Sequence, residues 1–301
     1  MTNKKWNGLR SVELGVPDVA ASERFYAGTW KLNKVAEANG AVYLRGFGVY
    51  HHILALQPSK KAELLSITFQ AATRSDVDAL HASVKAHGAA ATAAGALAQP
   101  GGGYGFTFKD PDGHVFRVLA EDAFWPDAMP DRDGPERLAH VVLNSSDAAR
   151  ATKFFVEVLG FKLSDQTRMM DFVRCNSDHH NIAFVRANGS TLHHVAFQMA
   201  DIDAVMRGAG RMKENGYPIE WGVGRHGPGN NVFAYFLGPN EVPIEYTAEV
   251  EQVDDNYPCR GPEHWSFPAG RTDQWGVTAP PSERMHAAQL KIGFPERLVG
   301  D

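Results

Sequence analysis

Leu192-His193-His194-Val195-Ala196-Phe197-Gln198 lies over Leu64-Leu65-Ser66-Ile67-Thr68-Phe69-Gln70 when the chain is laid on itself, and this superposition decides the fold. Working outward, Leu138-Ala139-His140-Val141-Val142-Leu143 lies over Leu9-Arg10-Ser11-Val12-Glu13-Leu14. His180 lies over His52, Pro239 over Pro111 and Glu245 over Arg117, always at an offset of 128 or 129 residues. A chain of 301 residues is therefore one unit written twice, each copy about the size of a small domain.

Each copy again reads as two units of strand, helix and three strands. In the third unit Leu138–Leu143 alternates as a strand, and Ser145 or Ser146 is placed to cap a helix over about 147–160. Phe154, Phe155, Val158 and Leu159 supply its apolar face and Gly160 ends it; strands follow at 161–163, 171–175 and 181–185. In the fourth, a strand over 192–198 leads to a helix over 202–215 stopped by Gly216. Strands over 233–237 and 242–246 then close around Gly238-Pro239-Asn240, while 224–229 reads as a glycine-rich loop. Residues 9–56 and 64–121 repeat the scheme, with Asp110-Pro111-Asp112-Gly113 as the matching turn. No such unit can close a core alone, so the expected class is α+β: two tandem domains, each of two βαβββ modules curled into an open, barrel-like mixed sheet. The expected division is a domain without metal over 1–124, a linker over 125–136 and a working domain over 137–250. The linker is broken by Pro126, Pro130, Gly134 and Pro135, and a tail over 251–301 has no counterpart in the first copy. Rich in Pro, Gly and Trp, that tail is expected to wrap over a domain face or a neighbouring subunit.

Composition narrows the class further. Apolar residues make up 44% and charged residues 22%, enough for buried cores. Net charge is −5, and the basic residues form no run beyond Lys4-Lys5 and Lys60-Lys61, so no nucleic-acid partner is expected. The first residues carry no apolar signal core, and no stretch approaches the roughly 18 apolar residues of a membrane span. A cytoplasmic protein without a membrane partner is expected. Cys175 and Cys259, with no Cys-x-x-Cys pair, read as reduced thiols rather than a disulfide or zinc framework.

The copies disagree where chemistry would sit. His140, His194 and Glu245 stand where the first copy has Ser11, Ser66 and Arg117. Two imidazoles and one carboxylate on one face, with open positions beside them, form the ligand set of a non-haem iron(II) site. Manganese(II) is the alternative, since the same ligands accept it. The first copy is expected to be metal-free, its concave face filled by side chains, with the Arg117 cation repelling iron.

On these residues the chain resembles the type I extradiol ring-cleaving dioxygenases of the vicinal-oxygen-chelate superfamily, over essentially its whole length. Leu192-His193-His194-Val195-Ala196-Phe197 looks like that family's second-ligand strand. Gly224-Arg225-His226, Tyr235, Pro239 and Glu245 look like its signature, with the histidine nineteen and the tyrosine ten residues before the glutamate. His180 precedes His194 by the fourteen residues the family uses for its acid–base histidine. Ala234, Gly238 and Glu241 depart from the pattern and put the turn before Glu245 in question. The resemblance implies metal ligands His140, His194 and Glu245, and catalytic His180, His226 and Tyr235. It implies cleavage of a catechol-type small aromatic diol by dioxygen next to its hydroxyls; the unmatched tail over 251–301 adds the expectation of a homo-oligomer, tetramer or larger.

Around that set, His179 is the rival of His180, since His51-His52 repeats the pair in the first copy. His193 should face away from His194, its neighbour on the strand. Met169, Met170, Phe172 and Trp221 are candidate apolar walls, and Arg260, Arg271 and Arg284 candidate cations for a carboxylate-bearing substrate. Uncharged substrates are favoured: catechol, an alkylcatechol or a biaryl diol. The alternatives on the same scaffold are a glyoxalase-like metal-dependent isomerase or lyase, and a non-catalytic aromatic- or drug-binding protein.

Overall fold

A computed structural model describes residues 5–125, 131, 133–296 and 298. The remaining positions of the expected linker and of both termini lie outside the described residues. The first half runs β1 (Trp6–Val16), α1 (Val19–Glu23) continued by a π-turn over Arg24–Thr29, β2 (Asn33–Ala38), β3 (Ala41–Arg45) and β4 (Leu54–Pro58). It continues with β5 (Glu63–Ala71), α2 (Arg74–Ala86), β6 (Gly95–Ala96), β7 (Tyr104–Lys109) and β8 (Val115–Ala120). The second half repeats this as β9 (Arg137–Ser145), α3 (Ala148–Glu157), β10 (Lys162–Gln166), β11 (Met170–Arg174) and β12 (Ile182–Arg186). Then come β13 (Leu192–Gln198), α4 (Ile202–Glu214), β14 (Trp221–Arg225), β15 (Val232–Leu237) and β16 (Pro243–Ala248); α5 (Glu283–Ala288) lies in the tail.

Each half forms one eight-stranded mixed sheet, ordered β2-β3-β4-β1-β5-β8-β7-β6 and β10-β11-β12-β9-β13-β16-β15-β14. Both orders are linear, so neither sheet closes into a barrel. The two modules of a half meet at a central antiparallel pair, β1 with β5 and β9 with β13. The halves share one buried apolar cluster. Trp6 packs edge-on against Phe161 with centroids 5.3 Å apart, and its Nε1–H donates to Leu159 O at 2.9 Å. Trp30 stacks on Tyr246 at 3.7 Å. Large aromatic rings of this kind bury the most apolar area per residue and anchor one half on the other.

Local differences from the sequence reading have physical causes. The cap of α3 is Asp147, whose carboxylate accepts from Arg150 N–H at 3.0 Å. Ser145 instead accepts from Asp147 N–H at 3.1 Å and donates to Asp112. Glycines at 222 and 224 hid β14, which pairs with β15 through Trp221–Tyr235 and Arg225–Val232 despite their low strand propensity. On α4, Gly208 faces Tyr246, and a Cβ there would lie 2.8 Å from the ring. The turn before Glu245 is a short 3-10 element in which Asn240 and Glu241 take positive φ of 59° and 58°. Glu241 thus adopts the left-handed conformation without being glycine, and its side chain pairs with Lys291 at 2.5 Å.

Candidate metal centre

The three adjacent central strands of the second sheet bring His140, Glu245 and His194 to one face. In the ladder, Ala196 of β13 stands opposite His140 of β9 on one side and Glu245 of β16 on the other. His194, two residues before Ala196, shares its face because strand side chains alternate. Ala196 offers only a methyl group, which leaves room between the flanking side chains. His140 Nε2 lies 3.2 Å from Glu245 Oε2, His194 Nε2 lies 3.0 Å from the same oxygen, and the two Nε2 atoms are 3.3 Å apart. Ligands about 2.1 Å from a metal and at right angles to one another are about 3 Å apart, so the donor set fits one face of an octahedron. All three side chains are buried, and they form the three-residue group suited to a metal ion. Burial pushes the Glu245 carboxyl up, but the imidazoles of His140 and His194 overcome this and hold it below the usual carboxylate range. His194 is held below the ordinary imidazole value by burial, partly offset by Glu245. Neutral imidazoles and an ionised carboxylate are the forms that bind a metal.

Three further groups surround the cluster. The His180 ring is centred 4.3 Å from that of His140 and packs on Phe172 at 5.2 Å. Its pKa is driven well down by burial and then by the imidazoles of His140, His179, His226 and His194. Gly229 makes this approach possible: its φ is +80°, and a Cβ would sit 2.9 Å from His180 Cε1. His226 follows β14, stacks on Phe233 at 4.0 Å and places Nε2 3.0 Å from Tyr235 Oη. Burial lowers its pKa to about 4, with Glu245 acting in the opposite direction. Burial, reinforced by Glu245, raises the Tyr235 phenol well above its usual value.

Most of the tail folds over this half of the same chain, and its end reaches the first half, where Gly293 O accepts from Leu64 N–H at 2.9 Å. Gln274 donates to the backbone oxygens of His226 and Gly227, and Ser282 donates to Glu220. Met285 and Ala288 of α5 pack with Trp221, Phe233 and Tyr235. The three candidate arginines are engaged elsewhere: Arg284 pairs with Glu220 at 2.9 Å, Arg271 donates to Gln274 O at 2.6 Å, and Arg260 lies over Tyr257 and Trp265. Of the candidate walls, Phe172 is buried beside His180 and Trp221 stacks on Tyr235 at 5.0 Å, whereas Met169 is 58% exposed.

Two expectations change. The ladder is irregular between Leu192 and His194, so strict alternation fails and the His193 ring comes back beside its neighbour. The two Nδ1 atoms are 2.7 Å apart, and Gln289 Nε2 approaches His193 Nδ1 at 3.2 Å. The Arg117 cation is also not isolated. Glu13, on the strand where the second copy has Val142, pairs with it at 3.3 Å and accepts from Ser66 Oγ at 2.9 Å. No strand pattern marked His193, whereas a lone carboxylate between Val12 and Leu14 was visible in the sequence.

The model of the Glyoxalase/Bleomycin resistance protein/Dioxygenase superfamily matches residues 8–118 and 137–246. Metapyrocatechase 2 of Cupriavidus necator is 35% identical over 155 residues, 48% of this chain and 46% of that protein. The iron-dependent extradiol dioxygenase of Rhodococcus jostii is 27% identical over 176 residues, 50% of this chain and 57% of that protein. The matched stretches thus span about half the length of these two relatives. The crystal structure of the Mn(II)-bound glyoxalase from Novosphingobium aromaticivorans superposes with a TM-score of 0.86 at 38% identity, covering 98% of this chain and 97% of that one.

Proposed function

The chain belongs to the Glyoxalase/Bleomycin resistance protein/Dioxygenase superfamily, and from that premise we propose that it is an extradiol dioxygenase. It opens the ring of a catechol-type diol with dioxygen at an iron(II) held by His140, His194 and Glu245. The observation that carries this reading is the ring of His180, His226 and Tyr235 around the three ligands, since a proton carrier and two polar groups are what a diol and dioxygen need beside a metal. Residues 137–250 are the working domain on this reading, 1–124 the metal-free partner and 251–301 a cover.

Iron(II), when bound, supplies the open positions at which both reactants meet and exchange electrons. His180, kept neutral by burial, accepts a proton from a substrate hydroxyl and returns it as the ring opens. Tyr235, kept protonated, donates a hydrogen bond to oxygen atoms in the site, and His226 orients that hydroxyl from 3.0 Å. Such contacts in a water-poor site are worth about 3 kcal/mol in the transition state. Phe172 and Trp221 give the ring apolar walls. With Arg260, Arg271 and Arg284 engaged elsewhere, uncharged diols such as catechol, an alkylcatechol or a biaryl diol suit the site best. Manganese(II) is the alternative ion.

A second reading, a metal-dependent isomerase or lyase, is favoured by the solved glyoxalase at 38% identity. The three-ligand set from one half, with a histidine beside it, supports the dioxygenase over it. Oxygen-electrode measurements on iron(II)-loaded protein decide between them. Uptake of one dioxygen per catechol or 2,3-dihydroxybiphenyl consumed is expected. No uptake across a panel of catechols, with isomerisation of a glutathione hemithioacetal, would overturn the dioxygenase reading.

A further inference from the structure

Behind His180 lies a buried chain of polar groups that the ligands and their immediate neighbours do not use. His179 Nδ1 is 3.1 Å from His180 Nδ1, and His179 Nε2 is 2.9 Å from Asp165 Oδ2. The side chains of Asp165 and His179 are fully buried. Tyr257 Oη–H donates to Asp165 Oδ2 at 3.2 Å and Arg260 N–H to Oδ1 at 2.9 Å, both from the tail. A carboxylate that accepts from two donors already can only accept from the third, so His179 Nε2 carries the proton. As a neutral imidazole, His179 would offer its Nδ1 lone pair, which would require His180 to donate from its own Nδ1. The lone pair of His180 is thereby placed on Nε2.

The two halves provide an internal comparison. His51 and His52 keep the same arrangement, with Nδ1 atoms 3.1 Å apart. The position equivalent to Asp165 is Ala36: Ala36 stands opposite Tyr43 as Asp165 stands opposite Phe172, each just past a bulge. The histidine pair is common to both copies, whereas the carboxylate occurs only in the half with the metal ligands.

We propose that Asp165, acting through His179, is a positioning residue that holds His180 as the Nδ1–H tautomer with Nε2 free to take a proton. This rests on the acid–base role given to His180 above. In a neutral imidazole the nitrogen that bears hydrogen is set by the partner of the other. Without the carboxylate, His179 can reverse its tautomer and offer Nδ1–H to His180, which moves the His180 lone pair away from the site. The tail takes part, because Tyr257 and the Arg260 backbone hold the carboxylate.

Two measurements test this. The first is nitrogen-15 histidine NMR on protein loaded with diamagnetic zinc(II), with His179→Gln and His180→Gln to assign signals. Nδ1–H for His180 and Nε2–H for His179 are expected in the wild type, with the His180 assignment lost in Asp165→Ala. An Nε2–H tautomer for His180 in the wild type would overturn the proposal whatever reaction the site runs. The second is steady-state kinetics of the iron(II) protein with catechol. Asp165→Asn is expected to retain iron and KM and to lower kcat by about 10–100-fold, with no further loss when added to His180→Gln. An equal loss in both backgrounds, or an unchanged kcat, would mean that Asp165 is structural only. If the wild type shows the expected tautomers but does not consume catechol, the positioning stands and the dioxygenase reading fails.

Discussion

Arg117 Nη2 lies 3.3 Å from Glu13 Oε2 at the place in the first sheet that corresponds to the metal-competent cluster of the second. Ser66 Oγ–H and Gln57 Nε2–H also donate to Glu13, at 2.9 and 2.7 Å. An internal ion pair therefore occupies this place in the first half, and both partners are nearly buried.

Removing Arg117 should leave that carboxylate short of its main partner. Arg117→Ala is expected to destabilise the protein by about 3 kcal/mol, the lower end for a broken buried pair because two donors remain. Urea denaturation measures it, and Glu13→Gln in the same background should recover part of the loss. Full stability of Arg117→Ala would show the pair to be solvated.

Metal analysis should find about one equivalent of iron per chain, since among the described residues two histidines and a carboxylate converge only in the second half. His194→Ala and Glu245→Gln should each lose the metal on desalting, while Ser11→Ala and Ser66→Ala keep it. Two equivalents per chain would contradict the division of labour between the halves.

His180→Gln should keep iron and catechol binding yet lower kcat by about 10²–10⁴-fold, the range for a positioned acid–base group. Rapid-quench turnover beside anaerobic catechol titration separates the two effects. Equal weakening of binding would instead assign His180 to substrate contact.

His193→Phe should weaken iron retention by about 10–100-fold against a chelator, because metal-bound imidazoles depend on the partner of their second nitrogen. The 2.7 Å approach of the two Nδ1 atoms makes His193 that partner for His194. Unchanged retention would show that His194 needs no such support.

His114 links the halves: its Nδ1 is 2.7 Å from Asp110 Oδ2 and its Nε2 is 3.0 Å from Asn144 O. Burial pushes this imidazole down, but Asp110 and the Asn144 carbonyl outweigh it, so its pKa is raised. A raised folded value favours the protonated form in the native state. The stability it adds is complete below the unfolded value, about 6.5, and disappears as pH rises through the raised one. The difference in unfolding free energy between wild type and His114→Gln should be about 1.5–3 kcal/mol near pH 6 and shrink toward pH 9. A difference that grows with pH would reverse the sign argued here.

The sequence by itself determined the duplication, the strand pattern of the central modules and the asymmetry at Ser11/His140, Ser66/His194 and Arg117/Glu245. These are legible because repeats and two-residue periodicity are properties of the linear chain, and a ligand set stands out when its twin lacks it. That comparison did not separate His180 from His179, since both copies carry the pair; the fourteen-residue interval to His194, read through the family resemblance, favoured His180. Only the tertiary structure decided the rest. An irregularity after Leu192 turned His193 back toward His194, which no period of two can announce. A bulge in β10 and the fold of the tail brought Asp165 to His179 and Tyr257 to Asp165, contacts between residues 14 and 92 positions apart. The placement of the tail, and the pairing of Glu13 with Arg117, likewise follow from packing between distant segments. Such contacts form where burial requires each polar group to find a partner, and that requirement acts in space rather than along the chain.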